Sequence, residues 1–132
     1  MKRSMWVLAS LAAVALVSNS FADAKHTHSA AASKPVTVKG EVVDLGCYMA
    51  HEAHGEKHKE CGTKCVAQGM PMGLLSGNKL YVVTLNHDNA DAYNQMKEWV
   101  GSDVEVTGIV SERAGVKSID AASAKVATAA AK

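Results

Sequence analysis

The sequence predicts a small, mainly β domain with helices (α+β). Five strands close into a barrel, a Cys/His-rich helical insertion follows the first strand, and one helix precedes the fourth. Three observations lead there. Short runs alternate apolar with polar residues between turn-forming stretches. Outside the insertion, only residues 88–101 carry apolar side chains at helical spacing. All three cysteines lie in one segment, Gly46 to Met72, between the first two strands.

The chain of 132 residues opens Met-Lys-Arg-Ser, continues with an apolar run from Met5 to Val17, and reaches Ser-Asn-Ser-Phe-Ala. A basic start, an apolar run and a small-residue cleavage site read as a secretory signal peptide over 1–22, cut after Ala22. The apolar run is shorter than the roughly 20 residues that span a bilayer, so no stable membrane span is expected after cleavage. Cleavage removes Lys2 and Arg3 and leaves 12 basic side chains against 13 acidic ones. That balance lacks the basic excess of nucleic-acid-binding proteins, and no nucleic-acid partner is expected. Residues 23–34 are small and polar and read as a flexible leader, in which His26 and His28 alternate.

From Pro35 to Leu45, Val36, Val38, Gly40 and Val42 alternate with Thr37, Lys39 and Glu41, the pattern of a strand with one face in a core. Val43 and Leu45 extend burial to both faces at its end. Gly40, in mid-strand, marks a strong bend or bulge of the kind small barrels need. Met72 to Leu75 is a second extended run. Ser76-Gly77-Asn78 supplies turn chemistry, and Lys79 to Leu85 returns as its hairpin partner. Asp88 or Asn89 is expected to cap the helix. Ala92 or Tyr93, Met96, and Trp99 or Val100 form its core face, and Gly101 ends it. Val104, Val106, Gly108 and Val110 alternate along a fourth strand, Asp103 to Arg113. Ala114-Gly115 turns the chain into a fifth strand that ends near Ala121. The domain thus spans 35–121, and the alanine-rich residues 122–132 read as a flexible tail. Five strands with a helix before the fourth suit an OB-type barrel.

The insertion carries the chemistry. Cys47, His51, His54, His58, Cys61 and Cys65 step by four, three, four, three and four, the spacings that share one helix face. Metal-type donors stand where leucines would ordinarily form an apolar stripe. One straight helix would hold Cys47 and Cys65 roughly 27 Å apart at about 1.5 Å per residue, too far for a shared centre. Gly46, Gly55 and Gly62 are the places to bend, because glycine weakens a helix by about 1 kcal/mol relative to alanine. A break near Gly55 would fold Cys47 back onto Cys61 and Cys65.

Several stretches resemble a group of small exported bacterial proteins with an OB-like fold. They are Gly-Glu-Val-Val-Asp (40–44), Cys-Tyr-Met (47–49), His58 with Cys61-Gly-Thr-Lys-Cys65, Gly-Met-Pro-Met-Gly (69–73) and Val-Thr-Gly-Ile-Val-Ser-Glu-Arg-Ala-Gly-Val-Lys (106–117). The resemblance covers roughly 36–121 and implies the barrel and a periplasmic or secreted location. It implies no activity, since OB-folds host many functions.

No Cys-x-x-Cys, haem-attachment motif, phosphate loop or dinucleotide fingerprint occurs, and no enzyme class is indicated. Metal binding is the first expectation. The candidate ligands are Cys47, Cys61 and Cys65, then His58, then His51 and His54, with Met49, Met70 and Met72 as weaker donors. Thiolates and thioethers suit copper(I), and thiolate with imidazole suits zinc. Haem held by an axial His or Met is neither selected nor excluded. A second expectation is thiol–disulfide redox, helped by Lys64 beside Cys65. A third is a structural disulfide stapling a module that binds a ligand or an exported partner protein. Cys61 with Cys65 is the poorest disulfide, since Cβ atoms four apart on a helix stand about 5–6 Å apart and a disulfide needs about 3.5–4.5 Å. Cys47 with either of the others is the better pairing.

Overall fold

A computed structural model describes residues 33–128. The expected signal peptide (1–22), most of the expected leader with His26 and His28, and residues 129–132 lie outside them. Among the described residues no helix is long and apolar enough to cross a membrane.

Five strands form a closed barrel: β1 (Val36–Asp44), β2 (Met72–Ser76), β3 (Lys79–Leu85), β4 (Asp103–Arg113) and β5 (Val116–Val126), in the order β1-β2-β3-β5-β4. All neighbours are antiparallel except β3 and β5. This is the OB-like barrel expected from the sequence. Closure depends on β1 serving two neighbours. Its first half, Val36–Glu41, pairs with β4, and its second half, Glu41–Asp44, pairs with β2. The exchange happens beside Gly40, where a Cβ would collide with the Leu75 carbonyl. Gly108 plays the matching role at the β4–β5 irregularity, where a Cβ would strike the Asp120 carbonyl. Both corners need backbone approach closer than any side chain allows.

The core follows the alternation. Val42, Met72, Leu74, Val83, Val104, Val106, Ile119 and Ala121 point inward and are buried. Helix α3 (Asp91–Met96) plugs the barrel through Ala92 and Met96, and a 3-10 turn, Lys97–Trp99, carries Val100 in behind them. Met96 and Trp99 are thus packing residues, Trp99 half-buried against the cluster.

Three boundaries differ from expectation. The third helix starts at Asp91 rather than after an Asp88 or Asn89 cap. Asn86 takes the capping groups first, since its Oδ1 accepts from the Asp88 and Asn89 N–H groups and its Nδ2 donates to Asp120 Oδ1 on β5. Asn89 then accepts from Asp91 N–H, so side-chain turns fill 86–90. The fifth strand runs to Val126, not Ala121, so residues 122–126 are strand rather than tail. The ladder slips at Thr107/Gly108, beyond which Val104–Thr107 pair with Ser123–Val126, and Ala124 packs on the core. Finally, Leu45 opens a helix instead of ending β1, because Asp44 caps that helix.

Candidate metal centre

The insertion leaves β1 at Asp44 and rejoins the barrel at Met72, and these two residues are partners in adjacent strands. Its three pieces are α1 (Leu45–His51), a 3-10 turn (Glu56–His58) and α2 (Lys59–Ala67). Asp44 is still extended, and its Oδ1 accepts from the Cys47 N–H at 2.8 Å, which starts α1 and fixes where Cys47 sits. Helix α1 stops at Glu52, whose left-handed backbone (φ 53°) returns N–H bonds to the Cys47 and Tyr48 carbonyls. Gly55 (φ 78°, ψ −178°) then makes the break that the sequence placed near it. The Glu41 carboxylate clamps this corner, one oxygen accepting from Gly55 N–H and the other 3.1 Å from His54 Nδ1.

After the break, α2 returns past α1. It docks through Val66 and Gly62, both buried. Gly62 is a contact residue, not the bend the sequence offered. A Cβ there would meet Val100 Cγ1 at 2.6 Å and both Asp44 Oδ2 and His58 Cδ2 at 3.3 Å. The other proposed bend, Gly46, lies within α1 and packs against Met70, whose Sδ would be 2.6 Å from a Cβ.

The folded-back insertion brings two donor sets together. The Sγ atoms of Cys47, Cys61 and Cys65 lie within 4.8 Å of one another, and all three are free thiols. Zinc–thiolate bonds of about 2.3 Å place sulfurs about 3.8 Å apart around a tetrahedral ion, so at most a small contraction separates this arrangement from a ligand set. Asp44, Cys47 and His58 form a second set within the same limit, sharing Cys47 with the first. In it, His58 Nε2 lies 2.8 Å from Asp44 Oδ2, with the carboxylate fully buried and the imidazole side chain 16% exposed. A carboxylate only accepts, so Nε2 carries the proton and donates.

The electrostatics favour the protonated forms of Cys47 and Cys65 when no cation is bound. Burial, then the Asp44 charge and the neighbouring Cys65, push Cys47 up to about 11. Burial, Cys61 and Asp44 raise Cys65 as well. Lys64, expected to activate Cys65, pairs instead with Glu60 at 2.7 Å. Cys47 and Cys65 therefore lack the lowered pKa of catalytic cysteines. A metal entering here would displace their protons.

Of the sequence-derived candidates, the structure gathers Cys47, Cys61, Cys65 and His58. His51 and His54 belong to neither set. His51 is the exposed last residue of α1, and His54 lies at the break against Glu41 and edge-on to Tyr48. Met72 is wholly in the core, and Met49 lines an apolar hollow with Leu45, Leu80, Val82 and Val116. The residue that sequence reasoning missed is Asp44. Its signal was an acidic residue three before a cysteine at a strand-to-helix switch, the position of an N-cap. Comparison of the chain with protein-family models, with curated proteins and with solved structures gave no match.

Proposed function

We propose that this is an exported, periplasmic or secreted, metal-binding protein. Cys47, Cys61 and Cys65 hold a soft transition metal, copper(I) or zinc, against the side of the barrel. The observation that carries this reading is the convergence of all three sulfurs, from two helices, on a space an ion can bridge. Three thiolates are the donors copper(I) and zinc prefer. Export is supported by the opening basic–apolar–small pattern. The likeness to small exported OB-like proteins points the same way. The role is binding and handing on of an ion, not catalysis, and the exchange partner is an exported protein or the free ion. Thiol–disulfide redox is the weaker reading, because burial raises rather than lowers the pKa values of Cys47 and Cys65.

Elemental analysis of the natively exported, reduced protein tests this. Copper or zinc near one or more per chain is expected, with loss in the Cys61→Ser/Cys65→Ser variant. Metal-free protein after anaerobic reconstitution, with a stable disulfide by mass spectrometry, would replace metal binding with the staple.

A further inference from the structure

We propose that Asp44, Cys47 and His58 form a second cation site, joined to the three-thiol site through the Cys47 thiolate, so that the insertion holds a pair of divalent ions of the zinc type. This rests on the reading of the three thiols as a metal site and extends it.

Three observations support it. Cys47 belongs to both donor sets, and in each set the candidate atoms lie within 4.8 Å of one another. A thiolate has lone pairs to spare and can bridge two ions. Second, the donors differ in kind. The first set is all sulfur, while the second offers one imidazole nitrogen, one carboxylate oxygen and one sulfur, a mixture suited to zinc rather than copper(I). Third, a second ion would offset charge that a single ion leaves. With the thiols ionised, Cys47, Cys61, Cys65 and the buried Asp44 together carry four negative charges, twice what a single divalent cation neutralises. Charge left unbalanced beside a fully buried carboxylate is costly.

The geometry is close to what such an ion needs. His58 Nε2 and Asp44 Oδ2 stand 2.8 Å apart with a proton between them. Ligand atoms on a tetrahedral zinc with bonds of about 2.0–2.1 Å are about 3.4 Å apart, so the pair opens by roughly half an ångström when the ring proton moves to Nδ1 and the ion takes its place at Nε2. Asp44 Oδ1 stays on the Cys47 N–H, which keeps the carboxylate aimed while Oδ2 binds.

Zinc titration of the purified, fully reduced protein, read by native mass spectrometry and chelator competition, tests the proposal. The wild type should take two ions at the insertion. Asp44→Asn and His58→Gln should each take one fewer, Cys61→Ser should weaken one ion, and Cys47→Ser should weaken both by tenfold or more. Circular dichroism checks that each variant is folded. Should Asp44→Asn fail to fold, the less buried end of the pair, His58→Gln, carries the test. One ion in the wild type, unchanged in stoichiometry in both variants, overturns the second site and leaves the three-thiol reading standing, with Asp44–His58 reduced to a hydrogen bond that orients the ring. No zinc and no copper in any form overturns both.

Discussion

In the barrel, Leu74, Val104, Val106 and Ile119 have no exposed surface at all, and the strands that carry them are paired on both sides. In the insertion, α1 buries no residue, and α2 buries only Gly62 and Val66. The two regions lie in one small domain but are stabilised differently. Apolar burial at about 25 cal/mol per Å² accounts for the first. The second depends on a few polar pins: Asp44 on Cys47 and His58, and Glu41 on Gly55 and His54. Short helices of this kind are not stable alone. A region with few apolar contacts opens locally before the whole molecule does, which suits the proposed entry and release of an ion.

Mutations that separate the two regions test this contrast. The largest effect should come from the barrel. Leu74→Ala removes a fully buried side chain and should cost about 2–5 kcal/mol in denaturant unfolding, with metal capacity per folded molecule unchanged. Asp44→Ala should come next, at about 3 kcal/mol, because it strips the cap from α1 and leaves the His58 N–H without its acceptor. Here metal capacity should fall in the fraction that still folds. If both variants lose metal in proportion to stability alone, the two regions are not separable. Gly62→Ala should cost about 1–3 kcal/mol as its Cβ pushes α2 off Val100, and should weaken metal binding more than it weakens the barrel, as hydrogen exchange in α2 against β4 would report. His51→Ala should be nearly silent, within about 0.5 kcal/mol and with unchanged metal content, because the exposed end of α1 belongs to neither donor set.

The cation-free protein should also respond to alkali in a defined direction. Cys47 holds its proton up to about 11 when folded, while an unfolded thiol releases it near pH 8.5. The unfolded chain then loses protons first as pH rises. The Cys47 contribution to stability is therefore complete below about pH 8.5 and disappears as pH climbs through the folded value. A thermal melt series from pH 8 to 11 measures it, and bound metal should abolish the slope.

The barrel could be read from the sequence because its signal is periodic. Val104, Val106 and Gly108 alternate without interruption, and Gly77 and Ala114-Gly115 mark the turns. The far end of β5 was hidden because Ala122–Lys125 offer little apolar contrast, and only the slipped pairing with β4 shows that they are strand. In the insertion, the cysteines were found by type and the break by Gly55. The histidines do not all share one face, because the three-and-four stripe assumes one helix phase. The left-handed Glu52 and the Gly55 corner end that phase, which leaves His51 and His54 outside both sets and returns His58 to the buried side. Asp44 escaped because a polar residue at a strand's end reads as a solvent-facing position, and only the returning α2 covers it.

Asp44 and Met72, the residues on either side of the insertion, stand opposite each other across β1 and β2. The whole Cys-bearing excursion therefore begins and ends at the span of an ordinary hairpin turn. A short loop could take its place while the five-strand ring stays shut, and the excursion in turn could be transplanted onto another antiparallel pair of strands that supplies an aspartate at its first foot. In that sense it is a detachable module, and the OB-like ring is its mounting.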